Sequence, residues 1–331
     1  MPLLTDVLRS RSRLLVALSV TAASLASAAC SSSSEAGALD AAVSTDAASP
    51  SIDGGSSARD GGESLDAAST VDAYSDGPTA PGWTLTWSDE FNAVDGTAVD
   101  ATKWNQETGN SGWTYNGERQ YYTPGTANAV VRGGSLVITA ASQGASQYTC
   151  QYGTCQYTSA RFNTSGKFEQ AYGRFEARIQ LPRGQGLWPA FWALGNNINA
   201  PGVGWPQCGE IDIMENVGKT PATNHGSLHG PGYSGGQALT GSISIDAGAL
   251  ADGFHVYAVE WEPKVVRFYV DGVLYETRTP ADVPAGHVWV YDHPFFVILN
   301  VAVGGNFPGD PDGTTAFPQT MKVDYVRVYK R

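Results

Sequence analysis

The chain has 331 residues, of which 42% are hydrophobic and 11% aromatic, so it is long enough for one large or two modest domains with a sizeable core. Its formal net charge at pH 7 is −12. This acidic chain has no basic stripe that would bind a phosphate backbone, so we expect no nucleic-acid partner. The 39 glycines favour a β-protein with many turns.

Residues 1–29 have the pattern of an export signal. An arginine-containing n-region precedes the apolar run LLVALSVTAASL, which is too short to span a bilayer. The following ASA fits ordinary signal cleavage, whereas SAAC is similar to a bacterial lipobox in which Cys30 becomes the lipidated N-terminus, although Ser27 stands where Leu is usual. We predict an exported protein, either a cell-surface or outer-membrane lipoprotein attached to the membrane through Cys30, or a secreted protein.

Residues 31–80 are rich in Ser, Ala, Asp and Gly, with nine acids and a single basic residue, Arg59. Such a segment buries too little apolar surface to offset its ordering entropy, so we predict a disordered acidic linker. A tether directly after Cys30 suits an anchored surface enzyme. A disordered leader on a secreted protein is the alternative.

From Gly82 the composition becomes globular, which predicts a folded domain over residues 82–331. The alternating segment GRFEARIQL predicts a half-buried strand with one solvent-facing side. FHVYAVEW and VVRFYVDG, joined around Glu262, Pro263 and Lys264, predict a hairpin. FFVILNVAV is apolar on both faces and predicts a central strand, and VDYVRVYK predicts a last one. We therefore expect an all-β fold of two stacked antiparallel sheets, of the jelly-roll kind.

Three cysteines fall within this domain. In an exported chain, Cys150 and Cys155 are close enough in sequence to close a small disulfide loop. Cys208 is then unpaired. Its position near several acids could indicate a reactive thiol, but no general base is adjacent in sequence, so a buried structural thiol is the favoured interpretation.

The segment GEIDIMEN places Glu210, Asp212 and Glu215 in an apolar strand. In a regular strand Glu210 and Asp212 share a face and Glu215 points to the other one; a β-bulge would turn Glu215 back. With a bulge the Cα atoms of the two glutamates lie roughly 13 Å apart, and their carboxyl groups can approach to about 5–6 Å, near the separation in a retaining glycosidase. Surface acids on an edge strand, or a calcium cluster, are the alternatives.

Aromatic and imidazole side chains surround these acids in sequence. Trp188 and Trp192, in GQGLWPAFWALG, are either core residues or walls of a cleft that binds the apolar faces of sugar rings. His229, in LHGPGYSG, is either structural or part of that cleft. His225 and His229 have a spacing of four, but no helical pattern supports a metal pair.

These segments, with SDEFN, QYYT, YTSARF, PFFVILNVAVGGNFPG and FPQTMKVDYVRVY, resemble the bacterial family 16 glycoside hydrolases of the endo-1,3-β-glucanase (laminarinase) type over residues 82–331. The resemblance implies a concanavalin-like β-jelly-roll sandwich with an open concave cleft, and retaining endo-hydrolysis of 1,3-β-glucosidic bonds by double displacement. It assigns Glu210 as nucleophile, Asp212 as assisting carboxylate and Glu215 as acid/base. The expected partner is a β-glucan polysaccharide, and we expect a monomer that needs no cofactor for catalysis.

The same resemblance assigns a wider set of residues. Its substrate-binding residues are Asn128, Arg161, Trp188, Trp192, His229 and Asn306. A structural Ca²⁺ in many relatives corresponds here to Glu90, the carbonyl of Gly134, and Asp324. The bulged E-x-D-x-x-E pattern is typical of the laminarinase-like branch, while relatives acting on 1,3-1,4-β-glucan have the unbulged E-x-D-x-E.

Other family 16 specificities (1,3-1,4-β-glucan, agar or carrageenan) and a non-catalytic carbohydrate-binding protein on the same fold remain alternatives. The sequence also departs from the family pattern in three places. Phe307 replaces a common Trp, Arg119 stands where an apolar residue is expected, and the Cys150–Cys155 insert has no family counterpart that we can place.

Overall fold

The structure is a computed structural model, and it describes residues 82–110 and 116–331. The predicted signal peptide (1–29), the lipidated Cys30 and the linker (31–80) lie outside the described residues. The helical turns of the described part include three short 3₁₀ segments, Ala145–Gln147, Gly235–Gln237 and Pro280–Asp282. Within residues 82–110 and 116–331, no helix has the length and apolarity needed to cross a membrane.

One antiparallel sheet has seven strands, numbered here in chain order. They are β2 (Asn105–Glu107), β9 (Arg161–Asn163), β11 (Leu187–Gly195), β12 (Glu210–Glu215), β13 (Thr223–His229), β14 (Leu239–Ser244) and β18 (Phe295–Val303). Their order across the sheet is β14-β13-β12-β11-β18-β9-β2. The strand with the three acids, β12, is therefore an interior strand and not an edge strand, which removes one of the alternative readings of GEIDIMEN.

The second antiparallel sheet has eight strands. They are β1 (Thr84–Asp89), β4 (Ala129–Arg132), β5 (Ser135–Ala140), β10 (Gly173–Gln180), β15 (His255–Glu262), β16 (Val265–Val270), β17 (Val273–Arg278) and β19 (Gln319–Lys330). Their order is β17-β16-β15-β10-β19-β5-β4, and β1 also pairs with β19. Two small additions are the parallel pair β3 (Gln120–Tyr122) and β8 (Tyr157–Ser159), and the hairpin β6 (Thr149–Cys150) and β7 (Gly153–Thr154).

The two large sheets enclose a common apolar core. Phe191, Met214 and Leu299 of the seven-stranded sheet belong to the same buried cluster as Phe175 and Trp261 of the eight-stranded sheet. Burying each of these side chains contributes about 1.5–3 kcal/mol to stability. The arrangement confirms the predicted all-β sandwich of two antiparallel sheets. Strand β18 is buried along its whole length between β11 and β9, as its apolar faces predicted.

The prediction of a solvent-facing side for GRFEARIQL was wrong, because Arg174 and Glu176 are buried in β10. The Arg174 Nε atom lies 2.8 Å from Glu176, and its Nη1 atom lies 3.2 Å from Glu260 on the adjacent strand β15. The Tyr329 hydroxyl donates a further hydrogen bond to Glu176. Paired charges and hydrogen bonds make this burial tolerable. Alternation therefore identified the strand but not the environment of its polar face.

Two local predictions are confirmed. Glu262 of β15 pairs with Val265 of β16, so Pro263 and Lys264 form the hairpin turn, with Lys264 in the left-handed region at φ 65°. Cys150 and Cys155 form a disulfide. Cys208 is a free and buried thiol, and burial raises its pKa to about 12, so it is not a reactive thiolate at neutral pH.

Candidate active site

Strand β12 carries a β-bulge at Ile213. On the β11 side of the ladder, Asp212 faces Trp192 and Met214 belongs to the next pair, so Ile213 has no partner. Both Ile213 and Met214 pack into the core. The alternation of side chains is thereby reset, and Glu215 returns to the face that carries Asp212. The bulge that the sequence left open is present, and it places three carboxyl groups on the outer face of the seven-stranded sheet.

Each glutamate accepts a hydrogen bond from an indole. The Trp205 Nε1–H group donates to Oε2 of Glu210 at 2.9 Å, and the Trp188 Nε1–H group donates to Oε1 of Glu215 at 2.8 Å. Trp188 lies on β11, whereas Trp205 lies in the loop that leads into β12. These bonds orient the two carboxyl groups and engage one oxygen of each.

His229 on β13 completes the acidic cluster. Its Nε2 atom lies 2.9 Å from Asp212 and 3.8 Å from Glu210. The backbone N–H of Gly235 donates to Nδ1 at 3.0 Å, so Nε2 is the ring nitrogen that carries the proton toward the acids. Burial lowers the pKa of His229, and the charges of Asp212 and Glu210 raise it. Because Nδ1 accepts the Gly235 N–H, the ring in this geometry is the neutral imidazole with its single proton on Nε2. The protonated Nε2 therefore faces the Asp212 carboxylate.

Burial, followed by the charge of Asp212, raises the pKa of both Glu210 and Glu215 to about 8. Their surroundings differ in one respect. The Arg161 cation lowers the pKa of Glu210, whereas the charge of Glu210 itself raises that of Glu215. Ionisation of the pair is therefore easier at Glu210, and ionisation there helps to keep the proton on Glu215.

Trp192 and Arg161 form the part of the cleft beside Asp212. The Trp192 indole donates to Oδ1 of Asn300 on β18 at 2.8 Å, and the Arg161 guanidinium lies 4.9 Å from the centre of the Trp192 ring. The Arg161 Nε atom is 2.6 Å from the carboxylate of Glu107. The cation is thus fixed from two sides, and the aromatic ring is held by its one polar atom.

The loop after β18 borders the Glu215 end of the cluster. Phe307 in this loop lies edge-to-face with Trp188 at 5.6 Å and with His225 at 5.4 Å between ring centres. Asn306 is the exposed residue that precedes it. Because Trp188 bonds to Glu215, the contact between Phe307 and Trp188 joins this loop to the acid cluster.

Asn128 is not brought to this cluster. It is only 5% exposed, and its side chain bonds to Thr123, to the Thr139 carbonyl and to the Thr158 hydroxyl. Its carboxamide therefore ties together segments of the scaffold, and no observation of the structure links it to a sugar.

The sequence interpretation missed Trp205, Asn300 and Glu107. The sequence contained an indication of two of them, because Trp205 lies only five residues before Glu210 and Asn300 is the one polar residue in FFVILNVAV. The sequence contained no indication of Glu107, because its pairing with Arg161 arises from the contact between β2 and β9.

A metal ion at the acid cluster is disfavoured by the donor set. Ligand atoms of Glu210, Asp212 and His229 lie within 4.8 Å of one another. However, Nδ1 of His229 accepts the Gly235 N–H and Nε2 carries the proton, so the imidazole offers no lone pair to a metal. Calcium, moreover, prefers ligands that are all oxygen.

The residues proposed for a structural Ca²⁺ lie on the eight-stranded sheet, away from the acid cluster. Both oxygens of Glu90 accept bonds from Arg327, at 3.0 and 2.8 Å, and Asp324 accepts one from Arg178 at 2.9 Å. Gly134 lies in the turn between β4 and β5. Carboxylates and a carbonyl are suitable calcium ligands, and each carboxylate oxygen has more than one lone pair. The calcium site stays a prediction.

Comparison with known proteins places this geometry among carbohydrate-active enzymes. The pattern that defines "Glycosyl hydrolases family 16" matches residues 117–327. A "Beta-glucanase" from Rhodothermus marinus is 43% identical over 263 residues, covering 76% of this chain and 86% of the relative. The "Glucan endo-1,3-beta-glucosidase A1" of Niallia circulans is 38% identical over 273 residues, covering 76% of this chain and 39% of that longer protein.

A solved structure has the same fold. The catalytic domain of an endo-1,3-beta-glucanase (laminarinase) from Thermotoga petrophila RKU-1 is 48% identical and superposes with a TM-score of 0.69. The match covers 75% of this chain and 98% of that domain.

Proposed function

The chain belongs to glycosyl hydrolases family 16, and we propose that it is a retaining endo-1,3-β-glucanase that cleaves internal bonds of laminarin-like β-glucans by double displacement. The observation that carries the proposal is the bulge at Ile213, which brings Glu210, Asp212 and Glu215 to one face with different surroundings. A retaining glycosidase requires two neighbouring carboxyl groups, one acting as nucleophile and the other as acid and base.

In the first step Glu210 is the nucleophile. Its carboxylate attacks the anomeric carbon of the sugar, and the glycosidic C–O bond breaks as the new ester bond forms. The Arg161 cation favours the ionised form of Glu210, whereas the charge of Glu210 opposes ionisation of Glu215, and this difference supports the assignment over the reverse one. The bond from Trp205 also directs the attacking oxygen.

Glu215 is the general acid of that step and the general base of the next. Its raised pKa keeps a proton available for the leaving glycosidic oxygen at neutral pH. In the second step Glu215 removes a proton from water, the water oxygen bonds to the anomeric carbon, and Glu210 is released. Two inversions at one carbon retain the β configuration.

Asp212 and His229 tune the pair. The negative charge of Asp212 raises the pKa of both glutamates, and Nε2 of His229 lies 2.9 Å from the Asp212 carboxylate and limits its movement. Asp212 therefore opposes double ionisation of Glu210 and Glu215, the state in which no acid would be available.

The aromatic side chains of the cleft support a polysaccharide substrate. Trp188, Trp192 and Trp205 present rings suited to the apolar faces of glucose units, and Arg161 and Asn306 supply polar groups for their hydroxyls. Relatives named as endo-1,3-β-glucanases support the 1,3 linkage.

The test is the release of reducing ends from laminarin, from barley 1,3-1,4-β-glucan and from agarose by the purified protein, beside Glu210→Gln. The expected result is rapid cleavage of laminarin, lost by at least about a thousandfold in the variant because the covalent step is removed. Asp246→Asn, at an exposed acid, is the matched control. Cleavage of agarose alone would indicate another specificity, and binding of laminarin without cleavage by folded wild type would indicate a binding protein. Proton NMR of the first product tests retention.

We also propose that the protein is exported and anchored through a lipidated Cys30, with residues 31–80 as a tether. The support is the sequence pattern alone. Fractionation of cells that express the wild type or Cys30→Ser tests it. The wild type should remain with membranes and the variant should be released, and equal distributions would contradict the anchor.

A further inference from the structure

Two departures from the family pattern, Arg119 and the Cys150–Cys155 insert, meet in space. Strands β6 and β7 form a hairpin in which Cys150 pairs with Gly153, so Tyr152 lies at its tip. The disulfide to Cys155, itself 2% exposed, closes the base of this hairpin. Tyr152 is therefore held at a fixed place on the surface, although it is 41% exposed.

The Tyr152 hydroxyl anchors the segment that carries Arg119. It donates to the backbone carbonyl of Arg119 at 2.5 Å and accepts the backbone N–H of Gln156 at 3.1 Å. The Arg119 guanidinium also lies 5.8 Å from the centre of the Tyr152 ring. A second bond fixes the segment from the other side, because the Arg119 N–H donates to the Val303 carbonyl at the end of β18.

Arg119 in turn holds the loop that follows β18. Its Nε and Nη2 atoms each lie 2.6 Å from an oxygen of Asp310, a two-pronged pair that fixes both position and direction. Gly304 faces the same pair so closely that an added Cβ would lie 3.0 Å from Asp310 and 3.1 Å from Arg119. The loop from Gly304 to Asp310 is thus fastened at its far end.

The fastened loop carries side chains of the cleft. Asn306 donates its backbone N–H to the Asn116 carbonyl at 2.6 Å, and Phe307 packs on Trp188, whose indole bonds to Glu215. A displacement of the loop moves Asn306 and Phe307 together, while Trp188 stays fixed in β11. The loop therefore affects the binding of the glucan more than the chemistry of the acids.

We propose that the disulfide-closed hairpin is a positioning device for this loop, acting through Tyr152, Arg119 and Asp310 to set a glucan-binding subsite at the Glu215 end of the cleft. The assignment of a glucan rests on the proposed function. The positioning itself rests only on the contacts above. Tyr152, Arg119 and Asp310 are positioning residues, because the side chains that would face the sugar are Asn306 and Phe307.

The test compares the wild-type protein with Tyr152→Phe, which removes one hydroxyl, and Asp310→Ala, which removes the ion pair. Tyr148→Phe is the matched control, since that ring lies on the same hairpin, stacked on Tyr121 at 4.3 Å. Hydrogen exchange of residues 304–310 should accelerate by about fivefold in the first two variants, the loss of one net hydrogen bond. The control should exchange like the wild type.

Kinetics on laminarin provide the second readout. Tyr152→Phe and Asp310→Ala should raise KM by about fivefold and change kcat by less than about twofold. Cys150→Ser with Cys155→Ser should act in the same direction. Unchanged exchange in 304–310 would overturn the inference, as would a loss of kcat at unchanged KM. If the wild type does not cleave laminarin, the proposed function fails, and hydrogen exchange alone still decides the positioning role.

Discussion

Replacing Glu215 by Gln should stabilise the protein, and the gain should grow with pH. Burial and the charge of Asp212 raise the pKa of Glu215 from 4.5 to about 8 in the folded state. Between these values the folded protein holds a proton that the unfolded chain has lost. A group with a raised folded pKa contributes stability that is complete below the unfolded pKa and is lost as the pH rises through the folded one. The wild type should therefore weaken between about pH 4.5 and 8.

The magnitude follows from proton linkage. One additional bound proton changes the free energy of unfolding by about 1.36 kcal/mol per pH unit, so the interval from pH 4.5 to 7.5 corresponds to a ceiling of about 4 kcal/mol. The actual change in the free energy of unfolding should be smaller, because water penetration and small structural movements reduce the cost of burying a charge. Glutamine keeps the acceptor for the Trp188 indole and cannot ionise. For a domain of this size, each kcal/mol shifts the thermal midpoint by about 2–4 °C.

The assay is thermal unfolding of wild type and Glu215→Gln at pH 4.5 and pH 7.5, with Asp246→Asn as a control for the loss of an exposed carboxylate. The midpoint of Glu215→Gln should exceed that of the wild type by several degrees more at pH 7.5 than at pH 4.5. The variant should also be nearly inactive. An equal difference at both pH values would refute the reasoning, because burial of Glu215 would then carry no cost of ionisation.

Two further outcomes concern the acid cluster, and a third concerns the predicted calcium site. The ratio kcat/KM on laminarin should fall above about pH 8, where Glu215 loses the proton it must donate, and a constant ratio up to pH 10 would contradict this assignment. Trp205→Phe should lower kcat/KM by about tenfold, because ionised Glu210 loses a hydrogen-bond donor. The same loss should move the acid limb of the pH profile of kcat/KM to higher pH, and an unmoved acid limb would contradict the bond from Trp205 to Glu210. If Glu90, Gly134 and Asp324 hold Ca²⁺, a chelator should lower the thermal midpoint of the wild type but not of Glu90→Gln, whereas equal midpoints with and without chelator would exclude the ion.

The sequence predicted most of the architecture because strands carry their own signals. The apolar run in β18 and the turn residues Pro263 and Lys264 depend only on local chain properties. The sequence left two arrangements of GEIDIMEN open, a regular strand and a bulged one, because only a bulge puts Glu215 on the same face as Asp212. Only the pairing between β11 and β12 decides between them, and in that pairing Ile213 has no partner on β11.

What the sequence could not predict depends on pairing between distant segments. Glu176 is buried because Arg174 of the same strand pairs with it and the Tyr329 hydroxyl of β19 donates to it, and the alternation of β10 contains no sign of the contact with β19. Tyr152 and Asp310 are more than 150 residues apart, yet both hold Arg119. Such contacts have no sequence period, so periodicity cannot reveal them.

The bulge at Ile213 also has a genetic consequence. If the codon for Ile213 were lost, the shortened strand would read E-I-D-M-E, and simple alternation would still point all three acids toward the cleft. The deletion would remove the additional twist of the bulge and change the direction of the Glu215 side chain, without turning that side chain into the core. A lineage could therefore pass between the two spacings in one mutational step, with no intermediate that misplaces a catalytic carboxyl group.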